Sequence, residues 1–473
     1  MKPLAAERSM RVVVMHAARG CIALGLGMYV MGAAWASEHG ADALGSSLTP
    51  IGANPAASAD GVIPAWTPPG PQGGDWVYGE LRAAHWVHRG DQPLYSVSAE
   101  NQAEHAARLL PGHVELLKQL PDYRMDVYQT RRSCDVPAFV AQNTRQNVGF
   151  AQLDDSALAL QEAHVPGIPF PMPSNGVEAM WNMKMRYRGL AFAMPRNQAA
   201  LSPRRGSDDW LKMLTDQISF LPWAQQPNGL FSDYDRLEVA GYFAYFEPAA
   251  LAGQAAVLSV RAGADSETFY YFPGQRRVRR MPSYSYDAPQ IGLDNQYNVD
   301  EIAMFTGQLD RFDWTLVGKQ ELLVPYNSFG LYDFKARFED VAQRDFIAPS
   351  HRRYELHRVW VVEARVREGM RHSAPKRLFY LDEDSWAPLA AVDYDAQDRV
   401  AKVREGYLIP VYETGGCDVE AFAQHNLIDG RYMFDNSPLG SGTDHRWLTE
   451  QGNNPRLKRS FYTSDNLRVI SER

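Results

Sequence analysis

The sequence predicts a mainly β protein with a few helices, an α+β fold. The main indication is a change of hydrophobic period at about residue 186, after which apolar and polar residues alternate in short segments up to residue 412. Turn sequences such as Pro273-Gly274 separate these segments, and no long helical pattern lies between them. Strands joined by short turns favour an antiparallel sheet, because parallel strands need long crossover connections.

Individual strands are predicted where apolar residues recur at every second position. Because successive side chains of a strand point to opposite faces, this spacing gives one apolar face that a core can cover. Clear examples lie within residues 237–245, 312–316, 357–366 and 378–382.

The first 36 residues have the layout of a cleaved secretory signal peptide. A basic start precedes an apolar stretch over Cys21–Trp35, and Ala34-Trp35-Ala36 places small residues at the cleavage position. The apolar stretch is shorter than the roughly 20 residues that span a bilayer, so a retained anchor is the weaker alternative. We expect export, with cleavage after Ala36.

The segment that follows, residues 37–98, is rich in proline and glycine and cannot hold a long helix or a central strand. It is predicted to be an extended arm that lies over the body of the protein. Large apolar side chains would anchor it by burial, and those we expect to do so are Trp66, Trp76 and Trp86.

The remaining segments are assigned by pattern. Residues 99–185 are predicted to be mainly helical with a proline-rich linker, and to cover the sheet. Residues 186–412 form the antiparallel β core, and residues 413–473 are predicted to be an irregular C-terminal tail. Together, residues 37–473 are expected to form one globular unit.

Charge and cysteine content narrow the function. The net charge of −8 becomes more acidic without the basic leader, which argues against nucleic acid as a partner. Cys134 and Cys417 remain after cleavage, and in an oxidising compartment such a pair is expected to form a disulfide. Two buried thiols are the alternative.

Five sequence blocks resemble domain-of-unknown-function family 1329, a family of secreted Gram-negative proteins that are often labelled outer-membrane lipoprotein-sorting-like. The blocks are LTPIGANPAASADGVIPAWT (48–67), NGVEAMWNMKMRYRG (175–189), YFPGQRRVRRMP (271–282), FTGQLDRFDWTLVGKQELLVPYN (305–327) and HRVWVVEARVREGMRHSAPKRLFYLDEDSW (357–386).

The resemblance implies a fold like that of the periplasmic lipoprotein carriers LolA and LolB. That fold is a curved, incomplete antiparallel β-barrel whose open side is plugged by helices, with a hydrophobic cavity between. It also implies a periplasmic location, with outer-membrane association as a further expectation. The family has no settled activity, so the resemblance says more about fold and compartment than about function.

The leading functional hypothesis is a periplasmic carrier or adaptor for a hydrophobic or lipid-like molecule, with an inner-membrane exporter and an outer-membrane protein as partners. A non-transporting protein-interaction module is the alternative, and an envelope hydrolase is less favoured. No phosphate-binding loop, Gly-x-Ser-x-Gly elbow or His-Glu-x-x-His motif occurs in the sequence. We expect no cofactor, no metal and no enzymatic activity.

Two runs of acidic residues are candidate metal sites. Asp393–Asp398 begins like a calcium loop but lacks its central glycine and closing glutamate. Asp382-Glu383-Asp384 is a second acidic turn. Both runs are predicted to be solvated hairpin turns.

The candidate ligand-binding residues are two arginines and five aromatic residues. In a strand, Arg277 and Arg279 would share one face and could clamp an anionic headgroup at a cavity mouth. The alternatives are an exposed edge strand protected by its charge, or ion pairs with neighbouring acids. The aromatic set either lines an apolar pocket or forms the core, and consists of Phe269, Tyr271, Trp314, Trp360 and Phe379.

Overall fold

The computed structural model describes residues 40–225, 229–281 and 286–472, so the predicted leader at residues 1–36 lies outside the described residues. The predicted mainly β fold with some helices is confirmed. Sixteen of the described strands form one large curved sheet, and the other six form three two-stranded ribbons.

The strands are β1 Tyr95–Val97, β2 Met125–Val127, β3 Gln152–Leu153, β4 Leu160–Glu162, β5 His164–Val165, β6 Ala191–Leu201, β7 Leu211–Phe220, β8 Gly229–Leu230, β9 Leu237–Glu247, β10 Ala255–Arg261, β11 Glu267–Phe272, β12 Arg277–Arg280, β13 Phe312–Pro325, β14 Tyr354–Val366, β15 Lys376–Asp382, β16 Pro388–Tyr394, β17 Val400–Gly406, β18 Ile409–Val411, β19 Gly416–Asp418, β20 Phe422–Asn426, β21 Arg431–Ser437 and β22 Arg446–Leu448.

The α-helices are α1 Arg82–His85, α2 Pro111–Gln119, α3 Ala138–Asn147, α4 Gly176–Met185, α5 Phe338–Val341 and α6 Ser464–Ser471. Short 3-10 helices lie at Ala41–Ala43, Gln102–Arg108, Pro222–Ala224, Phe231–Tyr234, Pro273–Gln275, Val299–Met304, Gly330–Tyr332, Pro349–His351, Pro455–Leu457 and Arg459–Phe461.

The large sheet has the strand order β1-β2-β14-β15-β16-β17-β20-β21-β6-β7-β9-β10-β11-β12, with β13 beside β14 and β22 beside β6. Neighbouring strands are antiparallel except β2 and β14. One meander runs from β13 to β17 and another from β6 to β12, and β20 and β21 join them. Among the described strands, no pairing connects β12 to the opposite end, so the sheet is not closed into a barrel.

The prediction of an irregular tail over 413–473 is wrong. The segment supplies β20 and β21 to the middle of the sheet, and α6 packs on β10, β11 and β12. Strands β20 and β21 are buried on both faces and carry polar residues such as Gln424 and Asp435 inside. They therefore lack the apolar–polar alternation by which a half-exposed strand is recognised.

Residues 99–185 contain α2, α3 and α4 but also the short strands β2 to β5, which the prediction of a mainly helical segment did not include. Helix α4 begins at Gly176 because the side chain of Asn175 accepts a hydrogen bond from the backbone N–H of Glu178, at 3.0 Å. Gly176 lets the helix approach β13, since a Cβ there would lie 2.7 Å from the backbone carbon of Trp314.

The arm is held by its tryptophans and by one buried arginine. Trp86 is buried, whereas Trp66 and Trp76 are half-buried. The guanidinium of Arg82 donates to both carboxylate oxygens of Glu413, at 2.8 Å each. It lies between the rings of Trp76, at 4.4 Å, and Trp447, at 4.7 Å. A fixed, desolvated guanidinium between aromatic faces is a favourable cation–π arrangement.

The predicted disulfide is confirmed. Cys134, in the loop before α3, is bonded to Cys417 in β19. The bridge joins the helical segment to the C-terminal strands, two parts of the chain that are 283 residues apart in sequence. In the described part of the chain, no helix is both long and apolar enough to cross a membrane.

Buried His445 gives a pH-dependence that can be measured. Burial and the nearby charge of Arg82 lower its pKa to about 3. Between this value and the ordinary 6.5, the unfolded chain binds a proton that the folded chain does not, so stability falls as the pH is lowered through this window. Within the described part of the chain, neither ring nitrogen has a hydrogen-bond partner, and we therefore expect phenylalanine to be accepted at this position.

We expect His445→Phe to gain about 2 kcal/mol in unfolding free energy relative to the wild type between pH 8 and pH 5. Urea titrations of both proteins at the two pH values measure this difference. An equal loss in both proteins over that interval would contradict the assignment of a neutral buried imidazole.

Candidate ligand-binding cavity

One face of the β6-β7-β9-β10-β11 part of the sheet borders a cavity of about 190 Å³. Every second residue of a strand points to the same face, and the cavity-lining residues follow this spacing. On this face lie Val239, Gly241 and Phe243 of β9, together with Leu258 and Val260 of β10. A dry engineered cavity of about 150 Å³ is large enough to bind benzene. The space therefore suits a small apolar molecule or part of a larger one.

The opposite wall of the cavity is the segment between β12 and β13. We call residues 286–308 the cover. Its cavity-lining residues are Tyr286, Gln290, Tyr297, Val299, Ile302, Ala303, Thr306, Gly307 and Gln308.

Buried ion pairs fasten the cover to the sheet. Asp300 of the cover accepts from Arg377 of β15, at 2.5 Å, and also contacts His372, at 2.9 Å. Burial alone would raise the pKa of Asp300, but Arg377 and His372 lower it to about 2. The carboxylate is therefore ionised at neutral pH, and the contact is a buried salt bridge.

A second layer of charges supports the first. Asp393 of β16 lies between Arg377, at 3.1 Å, and Arg404 of β17, at 2.6 Å. Glu301, the next residue of the cover, pairs with Lys402 at 2.7 Å. Such pairs are stabilising only while every partner is present, because each removed partner leaves a desolvated charge.

The anchored cover holds an unfavourable backbone. Ala303 and Met304 follow the anchor and have φ angles of 46° and 76°, in the left-handed region. Residues other than glycine pay roughly 1–2 kcal/mol each for this conformation. The buried ion pairs at Asp300 and Glu301 help to offset that cost.

The rim of the cover is tied to α4. Lys184 donates to the backbone carbonyl of Gly307 and pairs with Glu238 at 2.7 Å. Burial raises the pKa of Glu238, and the charge of Lys184 partly offsets that rise. Helix α4 thus fixes the edge of the cavity through a side chain as well as by packing.

The inner end of the cavity is polar. Arg188 pairs with Glu420 at 2.7 Å, and the amide nitrogen of Asn197 donates to Asp435 at 2.9 Å. Burial, reinforced by Asp418, raises the pKa of Glu420 to about 8, and burial also raises the pKa of Asp435. An apolar space with a few convergent polar groups at one end is the usual design of a small-molecule site.

A family model described as a protein of unknown function, DUF1329, matches residues 96–468. The chain belongs to the DUF1329 family. The uncharacterized protein PA3922 of Pseudomonas aeruginosa is 34% identical to it over 428 residues, which cover 88% of this chain and 90% of that protein.

Solved structures similar to this DUF1329 protein include a DUF1329 family protein from Desulfovibrio piger, with 14% identity, a TM-score of 0.40 and coverage of 61% of this chain and 98% of that one. They also include the LolA superfamily protein NE2245 from Nitrosomonas europaea, with 11% identity, a TM-score of 0.33 and coverage of 62% and 98%.

The two arginines suggested by the sequence of this DUF1329 protein do not line the cavity. Arg277 and Arg279 are exposed on β12, the last strand of the sheet order. Their register places them opposite Phe272 and Tyr270 of β11. The predicted clamp at the cavity mouth therefore has no counterpart among the lining residues, and the arrangement is that of the charged edge strand given as an alternative.

Two of the five aromatic candidates lie on the other side of the sheet. Tyr271 is buried there with Leu467 of α6, and Phe269 packs against the same cluster. Each face of β11 carries one polar residue and two aromatic residues, so its pattern did not distinguish the cavity side from the α6 side. The structure assigns both residues to packing beneath the C-terminal helix.

The other three aromatic candidates are core residues. Trp314 and Phe379 lie 5.8 Å apart between ring centroids, and Phe305 contacts both. Trp360 is stacked on Trp386 at 6.0 Å. None of them lines the cavity, and the interpretation of these residues as core is the one that fits the structure.

The acidic turn Asp382-Glu383-Asp384 is buried rather than solvated, because the arm lies over it. Arg132 binds both oxygens of Asp384, at 2.6 and 2.8 Å. Asp382, Asp384 and His357 could together offer ligand atoms within 4.8 Å of one another. Since Arg132 already occupies both oxygens of Asp384, this group fits a salt bridge better than a metal site.

The functional residues that sequence analysis missed are the polar groups of the inner end and the anchors of the cover. Asp393, interpreted as part of a solvated turn, is fully buried, whereas Asp395 and Asp398 of the same run do lie in a turn. The available signal was a charged residue within an otherwise apolar strand, such as Asp393 in β16. That signal marks a buried ion pair only once its partner is known.

Proposed function

We propose that this protein is a periplasmic carrier or adaptor that binds a hydrophobic or lipid-like molecule beneath the cover. The observation that carries the proposal is the apolar cavity between the curved sheet and residues 286–308. A purely structural interaction module has no need of such a space.

Binding would proceed by enclosure. Each methylene transferred from water to an apolar wall contributes about 0.8 kcal/mol, so a short alkyl segment suffices for measurable affinity. The cavity, at about 190 Å³, is smaller than the roughly 300–1,000 Å³ of typical ligand sites. A lipid-sized ligand would therefore leave part of its chain outside or displace the cover.

The proposal also includes the form of the barrel, the export of the protein and its transport partners. The curved sheet with α2 and α4 packed on it is interpreted as an incomplete barrel plugged by helices, and the leader as the export signal. Because a periplasmic carrier has no ATP, it would take its cargo from an inner-membrane exporter and release it to an outer-membrane protein.

The proposal is tested by filling the cavity. We expect Leu258→Trp, on the cavity side of β10, to weaken binding of the apolar fluorophore N-phenyl-1-naphthylamine at least about tenfold, equivalent to about 1.4 kcal/mol. The matched control is Ser259→Trp, one residue further and on the opposite face, which should bind like the wild type. Equal binding by all three proteins, or none by the wild type, would refute the proposal.

A further inference from the structure

The charges at the cavity point to the headgroup of its ligand. Among the described lining residues, three are carboxylates and one is a guanidinium. The guanidinium of Arg188 is already paired with Glu420. Asp265 lies exposed at the mouth, where water screens it. Asp435 is different, because it is buried and its contacts are to neutral groups.

Asp435 receives hydrogen bonds, and no cation of the described residues is paired with it. Its Oδ1 accepts from the side-chain nitrogen of Asn197, at 2.9 Å, and from the backbone N–H of Asn436, at 2.6 Å. Burial raises the pKa of this carboxylate, and its hydrogen bonds only partly offset that rise. Buried carboxylates are normally paired with a cation, since desolvation of an isolated charge costs several kcal/mol.

A second group at the same place has unused hydrogen-bonding capacity. Asn197 is fully buried and lines the cavity, and its side-chain oxygen has no hydrogen-bond partner among the residues that the structure describes. Because an ionised carboxylate only accepts, the amide must turn its nitrogen to Asp435, which leaves the oxygen as a free acceptor. A buried acceptor without a donor costs about 1–3 kcal/mol.

We propose that the cavity takes an amphiphile whose headgroup is a protonated amine, seated against Asp435 and Asn197. An ammonium has three N–H donors and no acceptor, so it supplies both the missing charge and the missing donor. A carboxylate or phosphate headgroup would instead lie beside Asp435 and be repelled. The inference rests on the proposed function and adds the class of ligand to it.

The experiment compares three ligands with the same alkyl chain, dodecylamine, dodecanol and dodecanoate, by isothermal titration of the full chain at pH 7. We expect the amine to bind at least about tenfold more tightly than dodecanoate, with dodecanol between them. Asp435→Asn should remove most of this preference and leave dodecanol nearly unchanged. The matched control Asp398→Asn, an exposed carboxylate that is not among the cavity-lining residues, should keep it.

The outcomes separate the two proposals. If none of the three ligands binds, the proposed carrier function fails. If all bind equally, or dodecanoate binds best, the carrier function stands and the amine headgroup is wrong. If Asp435→Asn does not fold, the order of the three affinities measured with the wild type still tests the amine headgroup. Asn197→Leu then serves as a second variant, since it removes the free acceptor.

Discussion

Replacing Asp393 by asparagine is expected to lower the free energy of unfolding by about 3–5 kcal/mol. The substitution keeps the size of the side chain and removes its charge. Arg377 and Arg404 are both fully buried beside it and would each lose a carboxylate partner. A buried guanidinium cannot escape by deprotonation, so the desolvated charge remains.

Urea unfolding of wild type and Asp393→Asn at pH 7 measures this loss. The matched control is Asp398→Asn, which removes the same charge five residues later from an exposed ion pair with Lys376. Asp398 has a left-handed backbone, which asparagine also tolerates, and exposed pairs contribute about 0–1 kcal/mol. Equal effects of the two substitutions would show that the buried network does not hold the sheet together.

The substitution Asp393→Asn is also expected to affect the cover of the cavity, and therefore ligand binding. Arg377 links Asp393 to Asp300, and Asp300 holds the cover. Weakening the network should therefore free the cover before the whole sheet unfolds. The cover carries the strained Ala303 and Met304, which favour a different backbone once their anchor is lost.

The fold was predictable where one face of a strand is apolar and the other polar. Strand β13 alternates in this way over 312–316, and the sequence placed it correctly. It failed at β20 and β21, because both faces of these strands are buried and polar groups inside them replace the expected apolar set. Alternation of apolar and polar residues identifies a strand only when one of its faces is exposed to water, and β20 and β21 have no exposed face.

The sequence predicted that a cavity exists but did not predict the residues that line it. A cavity beside a curved sheet followed from the family resemblance, but none of the seven suggested residues lines it. Aromatic residues at strand spacing are equally suited to a core, and Trp314 and Phe379 are used that way. The inner end combines Asn197 of β6 with Asp435 of β21, which lies 238 residues later in the chain, and the pairing of β21 with β6 brings the two together.

Removing the disulfide is the second change with a large expected effect. We expect the double substitution Cys134→Ala with Cys417→Ala to lower the free energy of unfolding by about 2–5 kcal/mol. The bond constrains a loop of 283 residues in the unfolded chain, and long loops gain most from closure. Both sulfurs are also packed in the core, so their removal costs some packing in the folded state as well.

The origin of this effect can be read from the denaturant dependence. If the bond acts on the unfolded chain, its removal lets that chain expand, so the slope of free energy against urea should increase along with the loss of stability. Reducing the wild type with dithiothreitol should reproduce the behaviour of the double variant. A loss of stability with an unchanged slope would instead place the effect in the folded state, at the contact between Cys134 and Tyr326, where sulfur and hydroxyl lie 3.0 Å apart.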